Sequence, residues 1–137
     1  MTIITKSEPE TILEGEKLGQ TLLPGAVVAL DGELGTGKTA FTRGLAIGLG
    51  IEHNVSSPTF TIVNEYPGKI PLFHFDMYRL ASENELFDIG WDDYLDRGGV
   101  CAVEWGEKVP GAFPPKTIFI RLKNLGGDIR SLEIEVS

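Results

Sequence analysis

The densest chemical signal in the chain is one octapeptide, Gly32-Glu33-Leu34-Gly35-Thr36-Gly37-Lys38-Thr39, which fits G-x-x-x-x-G-K-[ST] without a mismatch. Its three glycines allow a backbone curl in which successive N–H groups point inward at phosphate oxygens. A helix opening at Lys38 adds the partial positive charge of its first turn to that field. In such a loop Lys38 reaches the β- and γ-phosphates of a nucleotide, and the Thr39 hydroxyl enters the oxygen shell of a bridging magnesium ion. The binding set is therefore Gly32, Gly35, Thr36, Gly37, Lys38 and Thr39, with Ala40 at the next helical position.

A nucleotide-bound magnesium ion takes carboxylate help, and such acids are delivered where buried strands end. Asp76 closes the apolar stretch from Ile70 to Phe75, and Glu104 closes Val100 to Val103. Each is read either as a solvated strand-end acid or as half of a shared magnesium site, with metal ligand and catalytic base not separated between them. His74 lies two residues before Asp76 and shares its sheet face, as a phosphate or water neighbour or as a packed, hydrogen-bonded histidine. Trp105 stacks on a base, lies over the site or serves as a core lid. Arg79 and Arg130 are weaker candidates, since surface guanidinium groups are common. His53 has no cysteine or second histidine at ligand spacing, so no zinc site is assigned. Cys101 falls inside an apolar run and reads as an inert buried thiol.

The elements that must hold these residues follow from periodicity. Thr2 to Thr5 is a short β-branched strand, and Ser7 with Glu10 forms a capping box ahead of Ile12, Leu13, Leu18 and Leu22 at helical spacing. Pro24-Gly25 ends that helix, and Ala26 to Leu30 reads as a central parallel strand buried on both faces. Lys38 to Leu49 is a helix terminated at Gly50. Beyond the Ser56-Ser57-Pro58 breaker, Thr59 to Tyr66 and Ile70 to Phe75 pair across Pro67-Gly68. Ser82 caps an acidic helix through Phe87, with Trp91 to Leu95 as its continuation, and Val100 to Val103 is the next buried strand. Ile118 to Leu122 and Leu132 to Val136 alternate as closing strands about a turn from Asn124 to Asp128. This order predicts an α/β, P-loop NTPase-like fold, a mixed parallel and antiparallel sheet flanked by helices, with residues 1–137 forming a single domain.

Composition narrows the setting. A chain of 137 residues permits one core, and 42% hydrophobic with 23% charged residues is ordinary globular usage. Twelve basic against twenty acidic residues give a formal charge of −8, which lacks the positive field used for DNA, for non-specific RNA contact or for anionic membranes. A single cysteine excludes an intrachain disulfide framework and suits a reducing compartment. With no apolar run of membrane length, the expected setting is cytoplasmic.

Gly32 to Thr39, Ser57-Pro58-Thr59-Phe60-Thr61, His74-Phe75-Asp76-Met77-Tyr78-Arg79-Leu80 and Glu104-Trp105, in this order, resemble the TsaE family (formerly YjeE/YdiB). These are the small bacterial ATPases of tRNA threonylcarbamoyladenosine synthesis. The resemblance covers most of the chain and implies an ATP- and Mg2+-dependent ATPase that joins TsaB and TsaD, the pair that modifies adenosine 37 of tRNAs reading codons that begin with A. It implies contact with tRNA only through that assembly. It carries magnesium roles onto Thr39 and Glu104, a metal or water-positioning role onto Asp76, a nucleotide-sensitive switch onto Ser57 to Thr59, and functional importance onto Trp105. Thr11 and Arg130 lie where the family fold brings chain near the nucleotide. Glu33 and Thr36 stand where aspartate and alanine are usual, and neither alters a required glycine, lysine or hydroxyl.

The expected reaction is in-line attack of water on the γ-phosphate, slow alone and coupled to partners, with Lys38, Asp76 and Glu104 as the residues that carry it. The alternative is a small-molecule or nucleoside kinase using the same loop, against which stands the lack of an arginine-rich lid in the acidic region from Ser82 to Arg97. A non-hydrolytic nucleotide-sensing module is the third reading.

Overall fold

Short β-branched runs and capped helical stretches alternate along the chain, and they condense into one sheet with helices on both faces. The computed structural model describes residues 1–33, 36–52, 55, 63–77, 83–105 and 110–137. Gly35, His53, the segment from Ser57 to Thr61, Arg79 and the expected cap at Ser82 lie outside these residues. The elements are β1 (Thr2–Thr5), α1 (Glu8–Gly19), β2 (Val27–Asp31), α2 (Lys38–Gly48), β3 (Val63–Tyr66), β4 (Leu72–Asp76), α3 (Glu83–Asp88), α4 (Trp91–Asp96), β5 (Val100–Glu104), β6 (Ile118–Gly126) and β7 (Ile129–Val136).

The seven strands run in the order β1-β7-β6-β2-β5-β4-β3. β2 lies parallel to both β5 and β6, and β4 lies parallel to β5. β3 on one edge, and β7 with β1 on the other, are antiparallel. The apolar run of β2 is therefore explained by its central place, with Val28, Ala29 and Leu30 fully buried. Its register sets Leu30 level with Glu104, and that of β4 sets Asp76 level with Glu104.

Ser7 caps α1 as its sequence implies, accepting from the Glu10 N–H at 3.3 Å. The expected continuation of the acidic helix through Trp91 to Leu95 is corrected. Gly90, at φ 92, breaks the segment, so α3 and α4 are separate short helices. A one-turn 3-10 helix at Pro110–Ala112 had no counterpart in the sequence reading. Among the described residues, no helix is long and apolar enough to cross a membrane.

Two apolar clusters sandwich the sheet. On one face Phe41, Leu45 and Ala46 of α2 pack against Val28, Leu30, Ile120 and Leu132. On the other, Phe75 meets Trp91 and Tyr94 edge-on at 5.1 and 5.0 Å, and the Trp91 indole N–H donates to the Ala112 carbonyl at 3.1 Å. α1 and α2 touch backbone to backbone along a seam of Gly15 and Gly19 against Gly44 and Gly48. A Cβ added at Gly44 would strike the Ile12 carbonyl, and one at Gly48 the Glu16 carbonyl.

On the surface Glu65 accepts from Arg97 at 2.8 Å and from the Tyr94 hydroxyl at 2.9 Å, which ties β3 to α4. The hydrogen bond from Arg97, and then that from Tyr94, hold the Glu65 carboxyl below its ordinary range.

Three outcomes follow from these contacts. Gly44→Ala lowers unfolding free energy by at least about 2 kcal/mol in urea titration, because backbone rather than a flexible side chain fills the space. Exposed Ile47→Ala moves it by no more than about 0.5 kcal/mol. Glu65 has a lowered folded pKa, so its contribution is present above the unfolded carboxylate value and is lost as pH falls through the folded one. The stability gap between wild type and Glu65→Gln, roughly 0.5 kcal/mol at neutral pH, therefore closes in acid.

Candidate functional site

At the carboxyl ends of β2, β4 and β5 the chain leaves a cleft of about 470 Å³. Its walls include Thr36, Gly37, Lys38, Thr39 and Ala40 from the loop and first turn of α2, Asp76 and Glu104 from the two strand ends, and Trp105 and Arg130. Nine of the residues singled out in the sequence thus line one hollow. Gly32 lines an adjoining groove of about 610 Å³ that shares Thr36 and Trp105 with the cleft and is walled by Arg121, Lys123 and Asn124 of β6. Thr11 lines a smaller recess beside the cleft with Gly37, Ala40 and Arg130.

The loop is held by its own polar groups. Gly37 serves as the N-cap of α2 at φ 97, a left-handed conformation that favours glycine and offers no side chain to the helix end. With no capping side chain and no acid in the first turn, the N–H groups and dipole of α2 face an anion without a competitor of the helix's own. The Thr36 hydroxyl donates to the Glu33 carbonyl at 2.7 Å, and Thr42 donates to the Lys38 carbonyl at 2.9 Å. Lys38, buried at 6% exposure, folds its ammonium back to the Gly32 carbonyl at 2.5 Å and lies 4.1 Å from the centre of the Trp105 ring. Trp105 is thus over the loop lysine. Its backbone, at φ 61, is left-handed, a conformation that costs a bulky residue about 1 kcal/mol or more.

The strand-end acids share a face because side chains alternate along a strand. His74, Asp76, Ala102 and Glu104 stand on the face covered by α1 and α2. His74 is fully buried and Glu104 is 5% exposed, and Nε2 of the imidazole meets Oε2 of the carboxylate at 2.5 Å. The packed, hydrogen-bonded reading of His74 is therefore the one the geometry supports, with the carboxylate as its partner. The oxygens of Thr39, Asp76 and Glu104 are the donor chemistry of a hard cation such as magnesium. Among the described residues no three His, Cys, Asp or Glu side chains form a metal cage, so a cation here would need oxygens from a ligand or water as well.

The two outlying candidates are positioned differently. Thr11 is buried, with its hydroxyl 2.7 Å from that of Thr5 and 3.3 Å from the Ser7 carbonyl, so its polar group is spent inside the fold while its methyl faces Gly37. Arg130 donates to the Gly127 carbonyl at 2.7 Å and to Asn124 Oδ1 at 3.2 Å, which pins the hairpin turn beside the cleft. Two cleft residues escaped the sequence reading, Arg43 and Glu8. Arg43 stands one helical turn beyond Thr39, a spacing that could have flagged it. It donates through Nε to the Val55 carbonyl at 3.1 Å and lies 3.8 Å from Glu8.

Residues 5–132 match the family described as "Threonylcarbamoyl adenosine biosynthesis protein TsaE". The chain is 42% identical over 134 residues to the tRNA threonylcarbamoyladenosine biosynthesis protein TsaE of Treponema pallidum, covering 98% of this chain and 99% of that one. The protein of the same name from Bacillus subtilis is 47% identical over 110 residues, covering 80% of this chain and 68% of its own. The crystal structure of Bacillus subtilis YdiB aligns with a TM-score of 0.79 at 35% identity, covering 96% of this chain and 82% of the other.

Cys101 stands apart from the cleft chemistry. It is 1% exposed, and burial pushes its thiol up to about 12. Iodoacetamide at neutral pH should leave the folded chain unlabelled over hours and label one thiol promptly in denaturant; fast labelling of folded protein would contradict the buried placement.

Proposed function

The chain belongs to the TsaE family of threonylcarbamoyl adenosine biosynthesis proteins, and from that premise we propose that it is a magnesium-dependent ATPase serving tRNA N6-threonylcarbamoyladenosine synthesis in the cytoplasm together with TsaB and TsaD. The observation that carries the reading is the convergence of Lys38, Thr39, Asp76 and Glu104 on one cleft at the uncapped start of α2.

The chemistry asked of the chain is positioning and charge neutralisation. The amides from Gly32 to Lys38 and the first turn of α2 cradle the phosphate tail, and Lys38 exchanges the Gly32 carbonyl for β- and γ-phosphate oxygens. Thr39 and Glu104 are the groups that would hold magnesium, with Asp76 completing its surroundings or orienting the attacking water. When bound, magnesium supplies neutralisation of charge on the phosphate oxygens. Trp105, already against the Lys38 ammonium, shields that end of the cleft from water. The acceptor of the phosphoryl group is water, and the products are ADP and phosphate.

A cleft on so short a chain leaves little room for a second substrate, which supports coupling to partners. Arg43 supports a route for that coupling, since it reaches from the cleft wall to the carbonyl of Val55, next to the segment the sequence reads as a nucleotide switch.

The deciding assay is phosphate release from ATP by the full chain, alone and with TsaB and TsaD. Slow release alone and faster release with both partners is expected. Lys38→Ala should lose nucleotide binding in calorimetry, whereas Glu104→Ala and Asp76→Ala keep binding and lose turnover by about 100-fold. Wild-type hydrolysis by Lys38→Ala, or transfer of the γ-phosphoryl group to an acceptor hydroxyl in place of water, would overturn the proposal.

A further inference from the structure

We propose that His74 is a positioning residue for Glu104: its imidazole holds carboxylate oxygen Oε2 so that the other oxygen, Oε1, is the one presented to the cation at the cleft. The inference deepens the magnesium-ATPase reading above and rests on it.

Glu104 is 5% exposed yet lines the cleft, so it meets the hollow while nearly enclosed by the protein. A carboxylate in such a place swings between rotamers unless a donor fixes it. The donor is His74 Nε2, at 2.5 Å from Oε2. In parallel β4 and β5, His74 is level with Ala102 and Asp76 with Glu104, so the contact from His74 to Glu104 is diagonal.

The other ring nitrogen makes the case specific. Nδ1 of His74 is buried with no hydrogen-bond partner among the described residues. A buried polar atom left unsatisfied is a net cost, and an apolar ring would fill the same space without it. The imidazole is therefore poorly explained by core packing and well explained by its polar contact with Glu104. A hydrogen-bonded neighbour that orients a ligating carboxylate is worth about 10–100-fold in metal affinity.

The test uses the full chain and four substitutions, one of them held in reserve. In wild type without nucleotide, 15N NMR should find the His74 ring as the Nε2–H tautomer with a slowly exchanging proton, and Glu104→Ala should abolish that slow exchange. Calorimetry with a non-hydrolysable ATP analogue then gives the magnesium concentration at half-maximal tightening. His74→Phe should raise that midpoint by about 10–100-fold while leaving the magnesium-free affinity for the analogue unchanged. His74→Gln, which keeps a donor near the Nε2 position, should stay within about 3-fold of wild type on the same scale. A folded His74→Phe with a wild-type midpoint overturns the inference. If His74→Phe does not fold, His74→Asn takes its place, because its shorter amide withdraws the donor, and a wild-type midpoint there is equally fatal. Wild type that binds no analogue with or without magnesium defeats the ATPase reading itself, and a rapidly exchanging His74 ring proton defeats the hold on Glu104 whatever the analogue does.

Discussion

Everything at the cleft depends on three parallel strands ending level. Leu30, Glu104 and Asp76 stand abreast on β2, β5 and β4, so the chain that leaves β2 as a glycine-rich loop does so beside two carboxylates delivered by its neighbours. A slip of one residue in either pairing would turn the acids to the opposite face, toward the aromatic packing of Phe75 and Trp91, and away from α2. The register is protected by burial: Val28, Ala29, Leu30, Ala102 and Val103 have no exposure, and any shift would replace apolar contacts on both faces at once. Specificity of the sheet and geometry of the cleft are thus the same constraint.

Around that constraint the polar groups are arranged at some expense to stability. A buried lysine, a nearly buried glutamate and a fully buried histidine sit within the same end of the molecule, and a tryptophan with a left-handed backbone lies against the lysine. Interiors accept such groups only when each finds a partner. Lys38 finds the Gly32 carbonyl and the Trp105 ring, and Glu104 finds His74. The hydrogen bond of Lys38 is to the loop itself, so the lysine is held where an incoming anion can compete for it. Local departures from the best-packed solution are what a binding site is expected to contain.

Much of this was readable from local pattern. The run from Ala26 to Leu30, Thr36 to Thr39 of the glycine-rich loop, the Ser7 cap and the acids at two strand ends are short-range signals, and each falls where its periodicity or spacing implies. What could not be read depends on pairing between distant segments. His74 was recognisably on the face of Asp76, but its partner Glu104 belongs to another strand and is found only once β4 and β5 are in register. Arg43 and Glu8 meet at the cleft because α1 lies against α2, a contact that no single stretch encodes. The break between α3 and α4 was a local signal read too weakly: Gly90 was available as a terminator, and the apolar spacing on either side concealed it.

The glycine seam between α1 and α2 has a mechanical consequence. Side chains between helices normally act as a compliant layer, able to change rotamer and absorb a small displacement. Where Gly15 and Gly19 meet Gly44 and Gly48, main chain bears on main chain and that layer is missing. The amino-terminal hairpin of strand and helix is in this way coupled stiffly to the element that begins with Lys38. A load applied at the first residues, by a fused domain or a bound neighbour, is transmitted to the mouth of the cleft with almost no slack.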